Sequence, residues 1–260
     1  MIHSHGRSLI RAIIWPVRGR LAMIMGMVLG LTSLPALAAD REGKFLLIMD
    51  PPTRSTSTWA WDMLHSSGRM EAVVNNLQAS FTLPHTLVIH FGEDDGPRYL
   101  PDHFEIRIPY GFVAEIAATM ARQQSKEGGS SVKTDTLDVV EWVLYHELGH
   151  AFIDVYDLPV LGKEEDAADA LATLLAIRLV ENGGRIALTA ADLLTRIAAD
   201  RGHTTQTVFW SEHSLDRQRF FQVICWVYGS DTAVFAPLAA SGTISRQRAQ
   251  RCTDAFALMA

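Results

Sequence analysis

Beyond Asp40 the apolar positions alternate between short compact runs and longer stretches with three-to-four spacing, which predicts a small sheet among many helices. Lys44 to Asp50 (KFLLIMD) is a compact apolar run stopped by Pro51 and Pro52, and predicts a strand or an extended arm. From Thr56 to about Ser80, Trp59, Met63, Met70, Val73, Val74 and Leu77 recur at helical spacing, so one helix packed on a sheet is expected there. Thr86 to Phe91 (TLVIHF) and His103 to Ile108 (HFEIRI) read as strands, the second alternating with Phe104, Ile106 and Ile108 on one face. The loop between them is acidic and turn-rich.

The pattern then becomes helical to the end. Tyr110 to Gln123 predicts a helix, Ser125 to Ser131 (SKEGGSS) a flexible connection, and Asp135 to Val155 a long helix. Gly162 precedes another strong helix, Lys163 to Glu181, followed by a shorter one near Ala190 to Ala199. Ser214 to Tyr228 places Phe220, Val223, Ile224 and Val227 on one stripe ended by Gly229, and the tail also reads as helical. No internal repeat and no Pro-, Gly- or Ser-rich linker divides residues 40–260, so a single domain is expected.

The first 39 residues differ from the rest. Arg7, Arg11, Arg18 and Arg20 precede an apolar run from Leu21 to Leu31, and Pro35, Ala36, Ala38 and Ala39 supply an A-x-A type cleavage site. This anatomy predicts a signal peptide over residues 1–39, cleaved after Ala38 or Ala39, and an exported protein, periplasmic or secreted. An uncleaved anchor is the alternative, weakened because Thr32, Ser33 and Pro35 interrupt the run short of the roughly 20 apolar residues a span needs. The segment holds four of the 23 Lys and Arg and none of the 29 Asp and Glu, so its removal leaves 19 bases against 29 acids, a net charge of −10. Such a chain offers no basic stripe for nucleic acid, and membrane contact is expected only through the signal segment. Cys225 and Cys252 can pair in an oxidising compartment, closing a loop of about 28 residues worth roughly 3 kcal/mol. Two buried free thiols are the other reading.

The chemistry concentrates in His146-Glu147-Leu148-Gly149-His150. Two histidines four apart on a helix project from one face and can occupy two corners of a tetrahedral zinc site. Glu147 lies beside them, where its carboxylate can take a proton from a water activated by the metal. Gly149 is costly inside a helix and points to close approach of another backbone or a ligand. The lead-in Val139, Val140, Trp142, Val143 and Leu144 is that of a buried helix, and polar groups so deep need a partner.

A catalytic zinc takes three protein ligands. The H-E-x-x-H-x-x-G-x-x-H route fails, because Ile153 stands at the glycine position and Tyr156 at the last histidine. Glu165 on the next helix is the favoured third ligand, ahead of Glu164, Asp166 and Asp157. Asp169, four residues on, can accept the outer N–H of a ligand histidine, while Glu164 is explained by helix-start charge alone. Alanines at 167, 168, 170 and 172 would let the two helices approach closely. His213 is a candidate donor to the oxyanion formed when water attacks a peptide carbonyl. Arg217, Arg219 and Tyr228 are possible substrate or carboxylate contacts, and His85, His90 and His103 read as structural.

The runs Tyr145 to Asp154 (YHELGHAFID), Asp157 to Asp169 (DLPVLGKEEDAAD) and Glu212 to Gly229 (EHSLDRQRFFQVICWVYG) together resemble the bacterial domain-of-unknown-function 4344 family of metallopeptidases. The resemblance covers most of the chain beyond about Phe45. Glu165 to Asp169 is also similar, more distantly, to the glutamate-plus-aspartate element of the thermolysin-like clan. What the resemblance implies is an α+β, zincin-like metallopeptidase fold, with a small sheet packed on the histidine helix and additional helices at the C-terminal end. The expected activity is zinc-dependent peptide hydrolysis with Glu147 as general base. The rivals are a zinc-stabilised scaffold without turnover and a metal-dependent hydrolase of a non-peptide cell-wall amide.

Overall fold

In a computed structural model the described residues are 43–124, 131–201 and 211–260. The expected signal segment, residues 1–39, and residues 125–130 of the expected flexible connection lie outside them. The architecture is α+β, a four-stranded mixed sheet with many helices. Strands β1 (Phe45–Met49), β2 (Leu87–Gly92), β3 (Arg98–Leu100) and β4 (Glu105–Pro109) lie in the order β1-β2-β4-β3. The first three in that order run parallel, and β3 pairs antiparallel with β4 through Arg98 with Arg107, Tyr99 with Ile106 and Leu100 with Glu105.

Alternation along the strands assigns the two faces of the sheet. Leu87, Ile89, Phe91, Ile106 and Ile108 are buried against helices, while the opposite face carries an ion-pair chain. There His90 bridges Asp50 and Glu105, Arg107 reaches Glu105 and Asp94, and Arg98 reaches Asp94. His90 therefore has a structural role, and burial, which disfavours its charge, is outweighed by the hydrogen bonds it donates to Glu105 and Asp50, which raise its pKa. The short strand β3 escapes a periodicity reading because three residues between Pro97 and Pro101 carry too little pattern; the ladder with β4 makes it a strand.

Two expectations for the helices need correction. Residues 56–80 form two helices, α1 (Ser55–Ser67) and α2 (Arg69–Ser80), broken at Gly68 with φ +63°. The apolar spacing from Met63 to Met70 hides this break, and Gly68 is the left-handed residue that ends a helix. Trp59 is correspondingly off the buried stripe, which runs through Ala60, Met63 and Leu64. The helix expected near Ala190 to Ala199 is longer, because α6 spans Gly183–Arg201 and its first turns pack through Ile186 and Ala187. The Gly183-Gly184 start masks that beginning from propensity.

The remaining helices follow their patterns: α3 (Tyr110–Gln124), α4 (Val132–Val155), α5 (Glu164–Leu179), α7 (Asp216–Ser230), α8 (Ala236–Ala240) and α9 (Arg246–Met259). The stripe of α7 continues through Gly229 to Ser230. Cys225 of α7 and Cys252 of α9 are buried and bridged. Helix α4 is the axle of the molecule, buried on nearly all sides between β3 and β4, α3, α5 and α6. Among the described residues no helix is long and apolar enough to cross a membrane.

Candidate metal centre

The site forms where α4 meets the first two turns of α5. Gly149 permits the approach, because a Cβ there would stand 2.8 Å from the Ala168 Cα. Ala168 and Ala172 are buried at this contact, as the small-residue pattern of α5 suggests. The result brings one ligand atom each of His146, His150 and Glu165 within 4.8 Å of one another.

Hydrogen bonds orient these atoms. His146 Nδ1 lies 2.9 Å from Asp169 Oδ1, and His150 Nδ1 lies 2.7 Å from Glu164 Oε1. A carboxylate only accepts, so both Nδ1 atoms donate and both Nε2 atoms turn toward the centre. The two Nε2 atoms are 3.3 Å apart, with Glu165 Oε2 3.1 Å from that of His146. Neutral imidazoles held this way present facing lone pairs, which only protons or a cation can satisfy. Burial disfavours the imidazolium of His146, yet the Asp169 and Glu165 hydrogen bonds overcome it and push its pKa up to about 9. Glu165 resists protonation in turn: its burial is outweighed by the imidazoles of His146, His150 and His213 around it, which hold its carboxyl far below the usual range. Two imidazole nitrogens and one carboxylate are a donor set suited to zinc, and the group therefore could hold a metal.

Around this trio the other sequence candidates sort cleanly. Asp169 is buried and also accepts from Arg219, whose Nε and Nη2 lie 2.7 Å from its two oxygens. Desolvation of Asp169 is thereby outweighed, chiefly by Arg219, and its pKa is lowered. Glu147 is buried beside these residues, and burial is the main cause that raises its pKa, opposed by the nearby His146 and His150. His213 precedes α7 by three residues, not one; its Nε2 lies 2.8 Å from Glu165 Oε2 and its ring stacks at 6.2 Å on that of His146. Lys163 Nζ donates to the carbonyls of Ser211 and His213, each at 3.1 Å, and so ties this segment to the start of α5. Asp157, Asp166 and Arg217 are exposed, Tyr228 packs on the core, and His85 rests against Phe104.

The sequence reading offers Arg219 as a carboxylate contact without separating it from Arg217, and the structure selects Arg219; Glu164, expected as helix-start charge or an alternative ligand, instead accepts from His150 and orients it. A cavity of about 510 Å³ opens beside the trio, lined by His150, Lys163, Glu164, Glu165 and Glu212. That size suits a side chain or short peptide segment.

A family described as putative metallopeptidase, domain of unknown function 4344, matches residues 49–260. The chain belongs to this family. The match spans every element from the end of β1 to α9, including both helices of the His146, His150 and Glu165 group. No curated protein and no solved structure is significantly similar to the chain.

Proposed function

We propose that this family member is an exported zinc-dependent peptidase of zincin-like fold. The observation that carries the reading is the convergence of His146, His150 and Glu165 around two facing Nε2 atoms, with the buried Glu147 carboxylate alongside. In this site His146, His150 and Glu165 would hold the ion, which when bound supplies Lewis-acid polarisation and a more acidic water. Asp169 and Glu164 fix the tautomers of the two histidines, and Arg219 keeps Asp169 ionised. Glu147 takes the proton of the attacking water and returns it to the leaving amine, its basicity raised by burial. His213, whose Nε2 lies 2.8 Å from Glu165 Oε2, would donate to the developing oxyanion.

An extended peptide would add to the free edge of β3, the strand that lies against α4 next to Glu147. Export is supported by the bridged Cys225 and Cys252 and by the arginine-then-apolar segment at the start of the chain.

The test compares zinc content and hydrolysis of a mixed peptide library in wild type, Glu147→Gln and Glu165→Ala. Expected are about one zinc per chain in wild type, hydrolysis lowered roughly 10³-fold in Glu147→Gln with zinc retained, and zinc lost in Glu165→Ala. Stoichiometric zinc without turnover in the wild type would favour a metal-stabilised scaffold. Full zinc in Glu165→Ala would remove the third ligand.

A further inference from the structure

The cavity of about 510 Å³ beside the trio has a lining in which all residues but one are committed to the protein itself. His150 and Glu165 belong to the metal group, and Glu164 Oε1 accepts from His150 Nδ1 at 2.7 Å. Lys163 Nζ donates to the carbonyls of Ser211 and His213, each at 3.1 Å. Those two carbonyls flank Glu212, so the lysine clamps the chain on either side of it. Glu212 is thereby held at the cavity wall, yet it makes no hydrogen bond or ion pair with any of the described residues, Lys163 included.

We propose that this cavity is the subsite for a cationic side chain of the substrate, arginine ahead of lysine, and that the Glu212 carboxylate sets the preference. That the substrate is a peptide rests on the peptidase reading above. The charge of the lining points the same way. With Glu165 assigned to the metal, the carboxylates of Glu164 and Glu212 stand against one ammonium, and that ammonium is turned onto main-chain carbonyls. A leucine or glutamate side chain gains nothing from an unpaired carboxylate, whereas a guanidinium meets it with two parallel N–H donors and an ammonium with a point charge. Glu212 is exposed, so the gain is that of a surface ion pair. The outcome is a several-fold selectivity that salt weakens, not an absolute requirement.

Binding is read apart from turnover on the Glu147→Gln protein with zinc added, by fluorescence anisotropy. The probes are three labelled alanine pentapeptides that differ only in carrying arginine, leucine or glutamate at the centre. The arginine peptide should bind about fivefold tighter than the leucine peptide at low salt. That ratio should fall to about one when Glu212→Gln is added, and Glu212→Lys should make the glutamate peptide the preferred one. Raising the salt to about 0.5 M should shrink the ratio toward one. Asp254→Asn, which removes an exposed acid on α9, should keep the full ratio and so separates a local contact from the general pull of an acidic chain. An arginine preference that survives Glu212→Gln, a preference for the glutamate peptide, or binding of none of the three overturns the subsite. A zinc-replete wild type that cleaves no peptide overturns the peptidase reading, and the anisotropy ratio then still decides whether Glu212 selects a cation.

Discussion

Helix α4 carries two buried polar clusters, one toward each end, and they are built on opposite logic. Toward the start, Asp138 and Glu141 are fully buried and met by arginines: Arg69 reaches both, Arg185 makes a forked contact with Asp138, and Tyr145 donates to Glu141 at 2.9 Å. Two acids face two permanent cations from other helices. Toward the end, Glu147 and Glu165 sit among imidazoles, and neither forms an ion pair with a lysine or arginine among the described residues. The first cluster is complete as it stands, whereas the second sets two acids among imidazoles whose protons a metal can replace, with no fixed cation paired to them. A buried acid alone therefore says little about function. What marks the candidate metal centre is convergence without a lysine or arginine paired to its acids among the described residues: Arg219 is held by Asp169, and Lys163 by the carbonyls of Ser211 and His213.

That contrast can be broken in three ways. The largest effect is expected for Arg69→Ala, which strips Glu141 of its cation and should cost about 3–5 kcal/mol of stability in urea denaturation while leaving zinc content unchanged. Loss of zinc in that variant would mean that the two clusters are one coupled network. Asp169→Asn should do the reverse, weakening zinc affinity by roughly 10–100-fold in a competitive chelator titration; wild-type affinity would show that His146 needs no outer partner.

The smallest effect is a pH slope. His146 is raised from 6.5 to about 9 in the folded metal-free protein, so its contribution is complete below about pH 6.5 and is lost as pH rises through about 9. Zinc needs the unprotonated ring, so metal affinity should climb over the same window. Urea midpoints of chelator-treated protein between pH 6 and 9 should therefore fall, and a flat profile would deny that protons occupy the empty centre.

Helical periodicity places His146 and His150 on one face wherever α4 goes, because residues four apart on a helix always share a side. The same locality makes Glu165 and Asp169 legible as a pair, and Gly149 as a point of close approach. Strands β1, β2 and β4 follow from runs of five or six residues whose own composition is decisive. The break at Gly68 is local too, and is overlooked only because the apolar phase carries across it.

Other features have no local signature. Arg98–Leu100 is a strand because β4 offers a ladder, and Arg219 rather than Arg217 meets an aspartate fifty residues away because α7 turns that face toward α5. Glu141 and Asp138 inside an apolar run look anomalous until Arg69 and Arg185 arrive from segments distant in the chain. Angular spacing along a helix is inherited from the backbone, but the partner of a buried charge is chosen by whichever distant segment packs there. For this chain the first suffices to name the histidines, and the second supplies the charges that make one end of α4 a brace and leave the other open to a metal.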